Sequence, residues 1–414
     1  MKYNILKYLP DTITVEQTVN PLRIYDFNNK HIKKGKIVYL MEREYRIFDN
    51  FALQFAENIS IKYDLRPEVI CKNLKFDYIS KQDFINQQID ELSKSADEKG
   101  LNLKITDDIE EYLKNEEIAA LIIDFNPILN RSYLKKFDFK IYEVDGHNVI
   151  PARYISDKQE YNARTFRKKV YSNIYPFFTE YKSTDINYPV IDEFITKKLN
   201  YYAEFKNNPN KDVLSGFSKY LNFGFISPQR VAIEIIKSNA PDTDKEIFLE
   251  ELITRRELAD NFCLHNNNFL NLNGIPNWAK ISINSHKSDL RDYIYSLEQL
   301  EHSKTHDKLW NSAQLQLLKE GVIHGYIRMY WAKKIMEWST SAKTAQKYAI
   351  YLNDKYAFDS PSPSGYVNIL WAIGGLHDRA FKDWKITGKI RRMTYNSLKN
   401  KFSIEKYIDK INKL

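Results

Sequence analysis

GKIVYLM (35–41) and RIFDNFALQFAENI (46–59) follow one another and set the architecture of the first third of the chain. The first segment is short and apolar, which predicts a buried strand, and the second repeats apolar residues three and four positions apart, which predicts an amphipathic helix. Asp49, close to the start of this helix, is expected to cap it or to supply a first-turn charge. A strand that leads directly into a helix is the repeating unit of a parallel sheet.

The same alternation continues through the first 150 residues. Strands are predicted at Glu68–Ile70, Leu101–Ile105, Ala119–Ile123 and Phe139–Val144, and helices at Lys81–Lys99 and Asp107–Asn115. We therefore expect an α/β domain over residues 1–150, with a Rossmann-like or flavodoxin-like parallel sheet. No GxGxxG follows the first strand and no GxxxxGK[ST] occurs in the sequence, so the usual dinucleotide and P-loop fingerprints are absent.

The strand pattern fades after Pro151. Residues 151–205 are predicted to form a linker with helical parts, and residues 206–414 an all-α domain with short interruptions such as NNPN (207–210) and PSPSG (361–365). The expected architecture is an α/β N-terminal domain followed by an all-α C-terminal domain.

Composition and charge narrow the classes of protein that are possible. Two cysteines, Cys71 and Cys263, are too few for a disulfide framework, and no window reaches eighteen apolar residues, which excludes a membrane span. With no secretory signal pattern, a cytoplasmic protein is expected. The last 38 residues, from His377, hold eleven Lys/Arg against four Asp/Glu. That surplus suits a polyanion such as DNA, and equally a lysine-rich solvated surface.

Aromatic residues are concentrated in THDKLWNSAQLQLLKEGVIHGYIRMYWAKKIMEW (305–338), which holds Trp310, Trp331 and Trp338. Trp331 and Trp338 are seven residues apart and share a face if they lie on one helix, with about 10 Å of rise between them. The cluster is typical of a helix interface, and it is also compatible with a relay of oxidisable indoles. Spacing does not decide between these interpretations.

Two weaker patterns involve histidine and serine. His302 and His306 have the i, i+4 spacing of a helical metal-binding pair, but no HExxH pattern or further ligands accompany them, so surface or capping histidines are predicted and no metal site. Ser215 and Ser218 could offer hydroxyls to a diphosphate, although serine is also an ordinary helix cap.

Blocks of the C-terminal half resemble those of class II photolyases, in the photolyase/cryptochrome family. They are ELITRRELADNFC (251–263), THDKLWNSAQ (305–314), IHGYIRMYWAKKIMEW (323–338), AIYLNDKY (349–356), GYVNILWAIGGLHDR (365–379) and GKIRRMTY (388–395). NPLRI (20–24), VDGHNVIPA (144–152), YNARTFR (161–167) and LSGFSKYLNFGFIS (214–227) are similar to the family's upstream segments. The resemblance covers essentially the whole chain.

This resemblance implies that FAD is held in the helical domain. Arg328 and Asp359 match an ion pair beside the flavin ring, and Asn353 matches the residue that faces flavin N5, where an amide can donate or accept. Tyr202 and the run from Leu214 to Ser218 match the positions that hold the flavin's phosphates and neighbouring groups. The implied cofactor-binding residues are Tyr202, Leu214, Ser215, Gly216, Phe217, Ser218, Arg328, Asn353 and Asp359.

The resemblance also implies the activity: light-driven repair of cyclobutane pyrimidine dimers in DNA, by electron transfer from excited reduced FAD to a flipped-out dimer. Trp331 and Trp310 match a relay to the surface, with Trp338 and Tyr295 as further members. The implied catalytic residues are Glu251, Asn353, Trp331, Trp310 and Trp338. The implied DNA- or lesion-binding residues are Lys206, Glu251, Arg255, Arg256, Met329, Trp371, Asp378 and Arg379. The partner is UV-damaged double- or single-stranded DNA, and a monomer is expected.

Several positions depart from the family pattern. DSPSPSG (359–365) lacks a usual arginine and aspartate, and Phe381, Asn222, Lys219 and Leu40 stand where tryptophan, histidine, proline and tryptophan are common. The last departure bears on a second, antenna chromophore, which the sequence does not identify. Two alternatives remain: a cryptochrome-like flavin photoreceptor without repair activity, and a flavin-free helical nucleic-acid-binding protein.

Overall fold

The computed structural model describes residues 3–65, 67–181 and 188–414. Its N-terminal part is built on a six-stranded sheet with the strand order β1-β6-β5-β2-β3-β4. The strands are β1 (Ile24–Asp26), β2 (Lys36–Met41), β3 (Pro67–Lys72), β4 (Leu103–Thr106), β5 (Ile118–Asp124) and β6 (Lys140–Val144). The helices of this part are α1 (Phe51–Lys62), α2 (Ile79–Glu98) and α3 (Ile109–Asn115).

The predicted strands and helices of this part are confirmed, and so is the α/β class. β2 pairs in parallel with β3 on one side and β5 on the other, and its residues 37–41 are fully buried, as expected for a central strand covered on both faces. β1 was not predicted. It has three residues, two of them exposed, and it pairs antiparallel with β6 at the sheet edge, so it carries no apolar run to detect.

The prediction that Asp49 caps α1 is wrong. Asn50 is the cap, because its side chain accepts a hydrogen bond from the backbone N–H of Leu53. Asp49 lies one residue earlier with a φ of 51°, and its carboxylate forms an ion pair with Arg230 at 2.8 Å. It therefore ties the start of α1 to the helical part of the chain.

From Ala152 onwards the described chain is helical, as predicted. Its helices are α4 (Ala152–Ile155), α5 (Ala163–Asn173), α6 (Pro189–Lys197), α7 (Tyr202–Phe205), α8 (Ser218–Asn222), α9 (Pro228–Lys237), α10 (Asp242–Leu249), α11 (Arg256–His265), α12 (Asn277–Ser285), α13 (Leu297–Glu301), α14 (Lys308–Glu320), α15 (Gly325–Trp338), α16 (Ala342–Tyr356), α17 (Pro363–Gly374), α18 (Tyr395–Lys399) and α19 (Ile404–Asn412). One π-helical turn, Glu250–Arg255, joins α10 to α11. Among the residues just described, no helix has both the length and the apolar character to cross a bilayer.

Buried contacts hold the sheet against the helices. The Arg43 guanidinium donates two hydrogen bonds of 2.9 Å to the Asp260 carboxylate, and both side chains are almost completely buried. Gly224 follows α8 in the left-handed region, with a φ of 66°, and a Cβ at this position would lie 2.4 Å from the carbonyl oxygen of Arg43. Glycine is needed because the two backbones approach each other this closely.

Candidate functional site

The helical part encloses a cavity of about 1080 Å³. α15 and α17 form one side, and the π-helical turn and the segment before α8 form another. Of the predicted site residues, the following line it: Tyr202, Lys206, Leu214, Ser215, Phe217, Ser218, Glu251, Arg255, Arg256, Arg328, Met329, Trp331, Asn353, Asp359, Trp371 and Asp378. Four predicted residues do not line it: Gly216, Trp310, Trp338 and Arg379. The fold thus gathers most of the predicted side chains, from positions 202 to 378, around one space.

Arg328 and Asp359 form a bidentate pair in the cavity wall. The two guanidinium nitrogens of Arg328 donate to the Asp359 carboxylate at 2.9 and 2.8 Å. Burial by itself raises the pKa of Asp359, but the adjacent guanidinium outweighs burial, and the pKa lies below its ordinary value. The pair therefore stays ionised, and its planar fork is rigid enough to orient a bound group.

Asn353 is oriented by partners on both sides of its amide. Its Oδ1 accepts a hydrogen bond from Arg328 at 2.6 Å, and its Nδ2 donates to Ser360 Oγ at 2.6 Å and to Asp354 Oδ1 at 3.0 Å. A guanidinium has no acceptor, so the oxygen of the amide must face Arg328. The side chain is 2% exposed and lies where α16 passes the cavity.

The lining of the cavity fits a large cofactor that has charged, polar and flat aromatic parts. Gly325 lies in the wall, and a Cβ there would meet no heavy atom within 4 Å, so the backbone leaves room for a ligand. Arg256 Nη1 and His377 Nε2 are buried and have no hydrogen-bond partner among the described residues, and both residues line the cavity. Buried polar atoms normally have partners, so these two are available to a bound molecule. The residues present fit FAD.

Glu251 and Lys206 meet on another side of the cavity. Lys206 Nζ lies 2.7 Å from Glu251 Oε1, and the Glu251 side chain is 45% exposed. Glu251 belongs to the π-helical turn, and such turns are frequent at functional sites because they redirect side chains out of a regular helix. Both residues are predicted lesion contacts, but their pairing was not predicted.

Trp371 is supported from behind by a lysine that sequence reasoning missed. Lys333 Nζ lies 4.5 Å from the centre of the Trp371 ring and donates to the carbonyl oxygen of Ala372 at 3.0 Å. The lysine is 3% exposed, and burial lowers the pKa of its ammonium to about 7. The only sequence feature that could have indicated a role for this lysine is its place in the RMYWAKKI segment, because lysine is ordinarily expected at the surface.

A chain of aromatic side chains runs away from the cavity. Trp331 lines the cavity, and its ring stacks on Trp310 with centroids 6.4 Å apart and an interplanar angle of 3°. Trp310 lies 5.8 Å from Trp338, and Trp338 lies 5.5 Å from Tyr295. Trp310 is fully buried, so it does not reach the surface itself; Trp338 and Tyr295 extend the chain outwards.

His302 and His306, predicted to be surface or capping histidines, each hydrogen-bond a nearby group. The two do not share a helix, because α13 ends at Glu301 and α14 begins at Lys308. His302 Nδ1 hydrogen-bonds the carbonyl oxygen of Glu298 at 2.8 Å, while His306 Nδ1 hydrogen-bonds Tyr295 Oη at 2.7 Å. The i, i+4 spacing therefore has no helical meaning here.

The departures from the family pattern form contacts of their own. Asn222 Nδ2 donates to the carbonyl oxygen of Pro361 at 3.0 Å and so holds the altered loop 359–365. The Phe381 ring lies 4.4 Å from the Arg391 guanidinium, which also forms a bidentate pair with Asp378 at 3.0 and 3.1 Å.

Known proteins resemble this chain over most of its length. It is 35% identical over 431 residues to the deoxyribodipyrimidine photo-lyase of Potorous tridactylus, a match that covers 90% of this chain and 81% of that protein. The chain belongs to the photolyase/cryptochrome family. The deoxyribodipyrimidine photo-lyase of Oryza sativa subsp. japonica is 34% identical, and the match covers 92% of this chain and 88% of that protein. That of Methanothermobacter thermautotrophicus is 30% identical, and the match covers 94% of this chain and 98% of that protein. No family model matches the chain.

Solved structures of the family share the fold at low sequence identity. A class III photolyase of Agrobacterium tumefaciens superposes with a TM-score of 0.68 at 16% identity, covering 92% of this chain and 87% of that chain. The cryptochrome of Synechocystis sp. PCC6803 gives 0.70 at 13% identity, covering 92% and 88%. An archaeal photolyase of Sulfolobus tokodaii, whose structure contains two FAD molecules, gives 0.65 at 14% identity, covering 90% and 89%. The predictions of family, fold class and an enzyme are confirmed.

Proposed function

We propose that this chain is a class II photolyase that uses light to split cyclobutane pyrimidine dimers in DNA. The observation that carries the proposal is the lining of one cavity. The Arg328–Asp359–Asn353 network, the inner end of the aromatic chain, and the Glu251 and Trp371 side chains all border the same space. The photo-lyase names of relatives that match nearly the full chain support the same reaction.

FAD, when bound, supplies light absorption and the electron that opens the dimer. Arg328, Asp359 and Asn353 would hold the ring system, since together they offer a fixed charge pair and an oriented amide. Tyr202 and the residues from Leu214 to Ser218 would hold the phosphates and neighbouring groups. Hydroxyls and backbone N–H groups suit phosphate oxygens, because each donates without adding a mobile charge.

Trp331 would deliver electrons from the surface to the cofactor. It is the chain member that lines the cavity, and Trp310, Trp338 and Tyr295 follow it at centroid separations of 6.4, 5.8 and 5.5 Å. Burial of Trp331 and Trp310 excludes water from the inner steps. The exposed His306, hydrogen-bonded to Tyr295, brings the outer end close to solvent.

Glu251, Met329 and Trp371 would receive the flipped-out dimer. Trp371 offers a flat apolar wall, and the Lys333 side chain, whose Nζ lies 4.5 Å from the ring centre, supports the indole. The Glu251 carboxylate, 45% exposed on the wall and paired with Lys206, is accessible for a hydrogen bond with the lesion. Lys206, Arg255, Arg256, Asp378 and Arg379 are proposed to contact the lesion or the DNA around it.

The partner in this proposal is UV-damaged DNA, double- or single-stranded, and a damaged pair costs less to unstack than a normal one. The protein is proposed to act as a cytoplasmic monomer, with an α/β domain at 1–150, a linker at 151–205 and the catalytic domain at 206–414. A second, light-harvesting chromophore is part of the proposal without a chemical identity.

The proposal is tested with an oligonucleotide that contains one thymine dimer. The reduced holoprotein is mixed with it in blue light or in darkness, and the ultraviolet absorbance of the restored bases is followed. Recovery only in the light is expected. No recovery by protein that has bound and reduced its flavin would contradict repair and favour the cryptochrome-like photoreceptor. Purified protein that binds no flavin would contradict both and favour a flavin-free nucleic-acid-binding protein.

A further inference from the structure

Trp384 is exposed, and the site described above does not use it. All six tryptophans of the sequence lie in described residues, and Trp384 is the most exposed of them, with 43% of its surface accessible. It lies in the loop between α17 and α18, within the basic C-terminal segment. Isolated exposed apolar side chains are ordinary, so exposure alone gives Trp384 no role.

The surroundings of Trp384 set it apart, because two cations flank its ring. Lys382 Nζ lies 4.9 Å from the ring centre, and the Arg392 guanidinium carbon lies 4.8 Å from it. Arg392 also lines the cavity, so the ring lies beside the cavity mouth. A flat π-face between two positive charges matches the two parts of a nucleotide, a base and its flanking phosphates.

The loop that carries Trp384 is ordered and anchored. Trp384 and Gly388 exchange backbone hydrogen bonds of 3.1 and 2.8 Å, which close a tight turn. The backbone N–H of Lys389 donates to Ser282 Oγ at 2.7 Å, and a Cβ on Gly388 would lie 2.1 Å from the same oxygen. His286 of the segment after α12 hydrogen-bonds Asp383 at 2.7 Å. A loop backbone held this firmly would lose little conformational freedom on binding.

Phe381, the other large aromatic side chain of this loop, is less exposed than Trp384, and one of the cations beside it is held by an ion pair. Its ring lies 5.3 Å from the Arg379 guanidinium and 4.4 Å from that of Arg391, and Arg391 is fixed by Asp378. Trp384 is exposed, and within the described residues no ion pair fixes Lys382 or Arg392, so both cations can turn from the ring to phosphates.

We propose that Trp384 stacks on a DNA base beside the cavity mouth while Lys382 and Arg392 neutralise the adjacent phosphates. This inference rests on the proposed function, because it takes DNA as the substrate, and it adds a contact site outside the cavity. An acidic peptide would also be attracted by the two cations, but it has no base to cover the indole face.

The first test reads the ring directly and needs no activity. Tryptophan fluorescence of wild-type protein is measured in darkness with a thymine-dimer duplex, with the undamaged duplex and with a poly-glutamate peptide, and accessibility is probed with iodide. The dimer duplex is expected to quench a component that Trp384→Phe lacks, and to protect that component from iodide. Equal iodide quenching with and without bound DNA would overturn the proposal, and so would protection by the peptide alone.

The second test compares binding of the dimer duplex by matched variants. Trp384→Ala is expected to weaken binding on the order of tenfold, within the ~5- to ~150-fold that stacking of a base on an aromatic ring provides. Trp384→Phe should keep most of the affinity. Tyr63→Ala is the control, because Tyr63 is 45% exposed with Lys62 Nζ 5.7 Å from its ring, yet it does not line the cavity.

The outcomes separate this inference from the proposed function. Tight binding that is equal in wild type, Trp384→Ala and Tyr63→Ala would overturn the inference and leave the proposed function standing. Failure of wild-type protein to bind the dimer duplex would overturn both. Lys382→Gln should reduce the slope of log affinity against log salt concentration by about one unit, the contribution of one phosphate contact. An unchanged slope would contradict the phosphate role. If Trp384→Ala fails to fold, Trp384→Phe and the wild-type iodide measurement decide.

Discussion

Trp310 and Trp331 lie with their indole planes parallel, and Trp310 Nε1 donates a hydrogen bond of 3.0 Å to the backbone carbonyl oxygen of Trp331. In turn, Trp331 Nε1 donates to Gln314 Oε1 at 2.9 Å. Both rings are therefore held in place by their own polar atoms, inside a core where they are at most 1% exposed. A relay needs such fixed geometry, because its rate depends on a constant distance between the rings.

Replacing Trp331 with phenylalanine should reduce photoreduction of oxidised FAD to background, since phenylalanine is not oxidised under these conditions. Repair by chemically reduced enzyme should stay close to the wild-type rate. The measurement is the bleaching of flavin absorbance in blue light with an external reductant. Trp278→Phe is the matched control, because Trp278 packs against Gly375, outside the aromatic chain. Equal loss of photoreduction and repair would contradict the relay role.

Replacing Glu251 with alanine should lower the yield of dimer repair without releasing flavin. The expected loss is about 1–3 kcal/mol of stabilisation, the cost of leaving a lesion group without its hydrogen bond. Glu251→Gln keeps a hydrogen-bonding side chain of the same length and should retain more activity. Quantum yield of repair and the flavin-to-protein absorbance ratio are measured together. Loss of flavin from Glu251→Ala would assign the residue a structural role.

Replacing Asp359 with asparagine should weaken FAD retention and destabilise the protein, because the half-buried Arg328 guanidinium loses its charge partner. The pH dependence follows from the lowered pKa of Asp359. A carboxyl with a depressed folded-state pKa stabilises the fold above its unfolded value of about 3.8, and the stabilisation is lost as pH falls through the lower, folded value. Urea unfolding of wild type and Asp359→Asn should therefore differ at pH 7 and converge in strong acid. A constant difference would contradict the ion-pair explanation.

Replacing Lys333 with methionine should flatten the pH dependence of stability in mildly alkaline solution. The folded-state pKa of Lys333 is lowered by burial to about 7, against an ordinary value of 10.5, so between these values the unfolded chain binds more protons. Stability from this group consequently rises with pH, by up to about 1.4 kcal/mol per pH unit. The free energy of unfolding is compared for wild type and Lys333→Met from pH 7 to 10. Parallel curves would show that Lys333 does not titrate in this range.

Replacing Gly224 with alanine should cost more stability than replacing Gly100. Both glycines have a φ of +66°, so both substitutions carry the same strain of about 1–2 kcal/mol. A Cβ at Gly100 meets nothing within 4 Å, whereas at Gly224 it meets the backbone of Arg43 and Glu44 at 2.4 and 2.6 Å. We expect a further cost of about 1–3 kcal/mol for Gly224→Ala, as the two parts of the molecule move apart. Equal melting temperatures would contradict the close backbone approach.

Local sequence patterns predict the division into α/β and all-α parts, the principal strands and the family. These predictions depend on local information. An apolar run such as 35–41 favours a buried strand, and sequence motifs such as those within 305–338 are recognised without knowledge of the fold. Asp49 shows the limit of local rules, because Asn50 offers the same capping chemistry one residue later and Arg230, distant in sequence, takes the carboxylate.

Tertiary packing brings the cavity side chains together and places the groups that support them, and neither could be predicted from local patterns. The Lys206–Glu251 pair and the lysine behind Trp371 join residues from separate elements, at distances that no periodicity contains. The physical reason is that burial and charge pairing depend on packing in three dimensions. A lysine in a helix is ordinarily solvated. Because α17 packs against α15, Lys333 is buried and its pKa is lowered.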